Sequence, residues 1–163
     1  MTKPILLSLT LLLFCACNNP CKDVSCNNGE CFGEGECECN QGYEGENCDV
    51  TLNSKFEGTY SMIELCDSST ALPAYNVVVL PKPGSTNLII LGGLRGISNT
   101  IEAQIEPDGV EFGFNRQVLD GGHEIESITG TISSDANTIN VNYKIFDGSS
   151  DLVLDRCSGS MQK

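Results

Sequence analysis

Ten cysteines, one histidine and 22 acidic residues are the chemically capable side chains of this 163-residue chain. Six cysteines are closely spaced, as Cys21-x4-Cys26-x4-Cys31-x5-Cys37-x-Cys39-x8-Cys48, and Cys66 and Cys157 stand far apart beyond them. Thiols at this density mean metal or redox chemistry in a reducing compartment and disulfides in an oxidising one. Zinc fits poorly, because Cys37 and Cys39 are one residue apart and the segment has no histidine. Spacing alone does not choose among the possible pairings of six cysteines. His123, the sole histidine, sits in Gly121-Gly122-His123-Glu124 and reads as a turn residue entering a strand, without the nucleophile and orienting acid of a triad. No phosphate loop, HExxH or GxSxG motif appears. Carboxylate pairs are possible, but they lie mainly at turns, and no tryptophan is present to line a sugar subsite. The expectation is therefore no catalytic residue, no metal, no cofactor and no enzyme.

The N-terminus sets the compartment. Met1–Lys3 carries one positive charge, and Ile5 to Ala16 is almost wholly apolar, which reads as a signal peptide over residues 1–16. The run is shorter than the about 20 residues a membrane helix needs. Phe14-Cys15-Ala16-Cys17 resembles a bacterial lipobox, with Ala16 before Cys17 in place and Phe14 departing from the commoner leucine. The resemblance implies cleavage before Cys17 and lipidation of that cysteine. Parity agrees: lipidation of Cys17 leaves Cys21, Cys26, Cys31, Cys37, Cys39, Cys48, Cys66 and Cys157, an even set. Cleavage removes Lys3, so 9 basic residues become 8, and 8 − 22 gives a charge of −14. A chain this acidic repels nucleic acid and anionic headgroups. The expected location is exported and lipid-anchored, at the outer membrane or cell surface, with the membrane reached through the lipid only.

These residues need elements to position them. Residues 17–20 form a polar tether. Residues 21–49 hold six cysteines and few apolar residues, so disulfides must stand in for a core. Residues 50–54 read as a linker. From residue 55 to 163 cysteine is rare and period-2 alternation dominates. Ile139, Val141, Tyr143 and Ile145 alternate with polar residues, as do Ile101, Ala103 and Ile105, and Val110, Phe112 and Phe114. Residues 56–65, 76–80, 88–91, 123–132 and 151–157 supply the other strands. Turn signals such as Pro107-Asp108-Gly109, Asp135-Ala136-Asn137 and Asp147-Gly148 separate them. The fold class is all-β: a disulfide-rich module, then an antiparallel barrel or sandwich of about eight strands, since an open sheet leaves bare edges. Cys66 and Cys157 fall on the first and last barrel strands, which closure makes neighbours, so a bridge there is expected.

The cysteine pattern closely resembles the EGF-like family. Its second half reads Cys37-Glu38-Cys39, then Gly42, Tyr43, Gly45 and Cys48 at the family's positions. Glycine permits tight turns there, and Tyr43 supplies a packing surface. The resemblance implies the pairs Cys21–Cys31, Cys26–Cys37 and Cys39–Cys48. Calcium-binding members carry acids before the first cysteine and Asp or Asn two residues after the third; here stand Asn18-Asn19-Pro20 and Gly33. No specific calcium site is expected, and Glu30, Glu34, Glu36 and Glu38 read as a solvated face. Position 30 is also not an O-fucose acceptor, and the chain has no N-glycosylation sequon. The region from residue 55 resembles lipocalin-like β-domains of Bacteroidota surface lipoproteins, through Phe56-Glu57-Gly58-Thr59-Tyr60, Ser127 to Ile132, and terminal Cys157 with Met161-Gln162-Lys163.

Two functions follow as expectations. The first is a non-enzymatic interaction or adhesion protein that meets a protein or glycan at the cell surface. The second is binding of a small hydrophobic ligand inside the barrel, with Phe112, Phe114, Tyr143 and Ile145 as inward candidates that serve equally as ordinary core. A secreted growth-factor-like protein is a weaker third reading.

Overall fold

A computed structural model describes residues 19–68 and 72–163. The segment 1–16 read as a signal peptide, the expected lipidation site Cys17 and Asn18 lie outside the described residues.

The N-terminal module is built on two small ladders. Strands β1 (Gly29–Phe32) and β2 (Glu36–Cys39) form an antiparallel hairpin with Cys31 opposite Cys37. Strand β3 (Tyr43–Glu44) pairs with β4 (Val50–Thr51). Disulfides join Cys21 to Cys31, Cys26 to Cys37 and Cys39 to Cys48. Only Cys48 and Gly42 are buried among residues 19–49, so the bridges carry the work that an apolar core does elsewhere.

Residues 50–54, expected to link the two parts, continue the fold. Val50–Thr51 is strand β4, and a 3-10 helix follows over Leu52–Phe56. The composition signalled this only weakly: Leu52 and Phe56 are the apolar residues, and both are buried in the core. Ordered β structure in the barrel then starts at Gly58 rather than Phe56.

The barrel strands are β5 (Gly58–Cys66), β6 (Tyr75–Pro81), β7 (Leu88–Gly92), β8 (Thr100–Ile105), β9 (Glu111–Gly113), β10 (Gln117–Val118), β11 (His123–Ile132), β12 (Thr138–Asp147) and β13 (Val153–Gln162). The order is β10-β11-β12-β13-β5-β6-β7-β8-β9, and a β9–β11 pairing closes the sheet. Eight strands thus form the closed antiparallel ring, with β10 an added ribbon on β11. Closure removes the edges that an open sheet of this length would expose.

Side-chain alternation explains which face turns inward. On β5, Tyr60, Met62 and Glu64 are buried while Ile63 and Leu65 are exposed. On β12, Ile139, Val141, Tyr143 and Ile145 are buried as the periodicity predicts. Val110 departs from the predicted run, standing 44% exposed. The Asp108 carboxylate accepts the amides of Val110 and Glu111, which folds residue 110 into the turn and delays β9 to Glu111. Those amides also hold the Asp108 carboxyl below its ordinary range.

Topology gives the barrel two different ends. The β6–β7, β8–β9 and β11–β12 turns share one end with the start of β5. The 3-10 helix plugs this end: Asn53 is buried, and its amide donates to the carbonyls of Ser85 and Leu88. Phe56 meets Phe112 edge-to-face at 5.7 Å between ring centres. The module is seated on the same end. A Cβ on Gly42 would collide with Thr86, the Leu52 amide donates to the Gly42 carbonyl, and Lys55 pairs with Glu44 at 2.9 Å. The other end, between the remaining connections, is the mouth.

Candidate functional site

Polar chemistry inside the barrel gathers at the mouth. Glu64 on β5 is 2% exposed, and Tyr143 on β12 donates its hydroxyl to Glu64 Oε2. Glu64 Oε1 has no hydrogen-bond partner and lies 3.6 Å from Arg95 Nη1. Arg95 belongs to a one-turn 3-10 helix over Leu94–Gly96, between β7 and β8, and its φ is 56°. That left-handed backbone disfavours arginine, and the Arg95 amide donating to the Tyr75 hydroxyl at 3.0 Å helps hold it. The result aims the guanidinium into the barrel.

The same Nη1 lies 2.7 Å from Cys66 Sγ and 3.0 Å from Cys157 Sγ. These two cysteines face each other in the β5–β13 register and are joined by a disulfide that clasps the first and last barrel strands. Asp155, 7% exposed, accepts the amides of Ser68 and Arg156. Its carboxylate and both sulfurs lie within 4.8 Å of one another. With the sulfurs bonded to each other, only the Asp155 oxygen of that group is a metal donor.

Burial pushes the phenols of Tyr143 and Tyr75 far above the ordinary tyrosine value, and the Glu64 carboxylate adds to the shift in both. A neutral Tyr143 hydroxyl is what donates to Glu64. Above the cluster lies a cavity of about 300 Å³ walled by Ile97, Leu119, Ile145 and Leu154, with Arg95, His123 and Asp155 as polar members. Nearer the plug, side chains fill the interior: a Cβ on Gly159 would overlap Met62 Cε.

The residues singled out in the sequence fall into separate places. Gly42 and Gly45 have φ of 94° and 92°, the left-handed conformation that favours glycine, and Tyr43 is half-buried. Phe112, Phe114, Tyr143 and Ile145 are all buried in the barrel core. His123 is exposed at the start of β11 and reaches the mouth cavity. Sequence reasoning missed Glu64, Asp155, Tyr75 and Arg95 as a group. The first two were findable: Glu64 shares the inward phase of Tyr60 and Met62, and Asp155 shares that of Cys157 and Met161. A charge on the inward phase of a strand marks a buried polar site. Arg95, in a glycine-rich connection, gave no such signal.

Comparison with known proteins bears on both parts. No protein-family model matches the chain. Fibropellin-3 of Strongylocentrotus purpuratus is 30% identical over 123 residues, covering 72% of this chain. The chain spans only 20% of that protein's length. With the six-cysteine spacing, this match decides the character of the N-terminal part. The chain carries an EGF-like module. A disulfide-rich EGF-like module belongs to extracellular or secreted proteins, where oxidising conditions keep its bridges intact. Among solved structures, EF1p2_mFAP2b bound to DFHBI is 12% identical with a TM-score of 0.50, covering 68% of this chain and 94% of that one. A redesigned β-barrel is 11% identical with a TM-score of 0.49, covering 71% of this chain and 96% of the other. At 12% identity the first of these likenesses is one of fold.

Proposed function

We propose that the chain is an exported, lipid-anchored and non-enzymatic protein of the cell envelope, which holds its barrel out for contact with a protein or glycan partner. The observation that carries this reading is the seating of the EGF-like module on the plugged end, through Gly42 against Thr86 and Lys55 with Glu44. An anchor at Cys17 would then sit on the module's side, and the mouth would face away from the membrane. The module acts as a disulfide-stiffened spacer rather than a loose tether. Fatty-acid labelling of the full chain in a bacterial host tests the anchor: label should be incorporated, and Cys17→Ser should abolish it. Unchanged labelling in that variant would overturn the anchoring. For the contact role, cells displaying the full chain should capture a surface partner that the barrel variant Ile63→Asp/Leu65→Asp fails to capture.

A second reading is favoured by the mouth cavity, where apolar walls meet Arg95, His123 and Asp155. Such a mix of walls and few polar groups suits one small amphipathic ligand. Native mass spectrometry of the full chain decides between the two, since a ligand adds mass that denaturation removes.

A further inference from the structure

Acids are missing from one side of the barrel. Glu64 is the only acid in the stretches 59–65 of β5, 76–80 of β6, 138–144 of β12 and 156–162 of β13, and it points inward. In a chain with 22 acidic residues, these four neighbouring strands present a face whose only charges are Lys144 and Arg156. Depletion of charge marks the core of an interface. Ile63 and Leu65 stand 63% and 67% exposed on this face, as a ridge along β5. Beside the ridge runs a groove. Two depressions of about 450 and 440 Å³ share Leu65 and Ser158, and so join end to end. Ser158 and Ser160 of β13 floor the groove, and Asn140 and Asn142 of β12 form its far wall.

A ridge beside a parallel groove on one face is self-complementary, as a two-fold contact demands. We propose that this face binds a second copy of the chain, ridge into groove. The two-fold axis runs parallel to the strands, above the line between β5 and β13. Each copy's β5 then lies over the other's β13, and the two sheets pack face to face. The ladder fixes the register. Leu65 is level with Ser158 and Ile63 with Ser160, so each aliphatic side chain drops onto a serine of the second copy. The Asp67 amide donates to the Arg156 carbonyl, which sets these two exposed residues one step further along the same ladder. Asp67 of each copy therefore meets Arg156 of the other, and opposite charges face each other twice. The axis also leaves both modules on one side of the pair, as two chains anchored in one membrane require.

Sedimentation equilibrium of the purified full chain, in a detergent of matched density, tests this pairing with no other protein present, and so separately from the contact role above. The chain should sediment at twice its own mass. Ser158→Trp fills the groove at an exposed position and should raise the dissociation constant about tenfold or more. Asp67→Arg and Arg156→Asp should each weaken the pair. The double reversal Asp67→Arg/Arg156→Asp should restore it, a recovery that contact through another surface does not give. A wild-type chain that stays monomeric up to about 0.1 mM overturns the proposal. So does a pair that Ser158→Trp leaves unweakened, or a dissociation constant that neither single charge reversal changes.

Discussion

Tyr143 and Glu64 show how one buried acid is tolerated in a barrel this small. The carboxylate has a hydroxyl donor on one oxygen and a nearby guanidinium facing the other. Removing the donor with Tyr143→Phe takes away a hydrogen bond to a buried charged group and should cost about 1.5–3 kcal/mol. Urea unfolding of the variant measures it. The tyrosines also set an alkaline limit. Tyr60 is fully buried, its hydroxyl donates to the Phe56 carbonyl, and burial pushes its phenol from 10 up to about 12. A group whose folded value is raised contributes its full stability below the unfolded value and loses it as pH climbs through the folded one. Tyr75 and Tyr143 are shifted in the same direction. Stability should therefore hold to about pH 10 and fall between about 10 and 12. Denaturant midpoints measured across that range check it, and Tyr60→Phe should flatten part of the fall.

At the scale of elements, the 3-10 helix over Leu52–Phe56 joins module to barrel and plugs the barrel at once. Phe56 is wholly buried against Phe112. Phe56→Ala should cost about 3–5 kcal/mol, read as a lowered urea midpoint with the module's three disulfides still formed. Gly42 tests the seating instead of the plug. Its left-handed backbone and its closeness to Thr86 both resist a side chain. Gly42→Ala should raise amide exchange at Leu52 and Asn53, whose amides donate to the Gly42 and Thr86 carbonyls. Exchange at the centre of β12 should stay unchanged.

For the whole molecule, the decisive long-range link is Cys66–Cys157, which spans 91 residues of sequence. On the chain-entropy account, closing a loop of that length stabilises the fold by about 4–5 kcal/mol. The double variant Cys66→Ala/Cys157→Ala should lower the unfolding free energy by about that amount while keeping the barrel closed, because β13 remains paired with β5. Thermal unfolding followed with far-ultraviolet circular dichroism measures both. A loss of strand signal at room temperature would show that the clasp, and not the ladder, closes the ring.

Much of this architecture was legible in the residues themselves. The near absence of apolar residues from 21 to 49 calls for disulfides in place of a core, and the six-cysteine spacing with Gly42, Tyr43 and Gly45 resembles the EGF-like family. The alternation of Ile139, Val141, Tyr143 and Ile145 pointed to inward-facing strand positions, because period 2 is a local property of extended backbone. Other features depend on which strands meet. That Leu52 and Phe56 plug one barrel end is decided by the neighbouring turns at Thr86 and Gly109, far off in sequence. The mouth cluster is more extreme: Glu64, Tyr75, Arg95, Tyr143 and Asp155 come from four strands and one connection. The β12–β13, β13–β5 and β5–β6 pairings bring the four strand residues to one place, and only the left-handed turn at Arg95 sends its charge inward to the sulfurs.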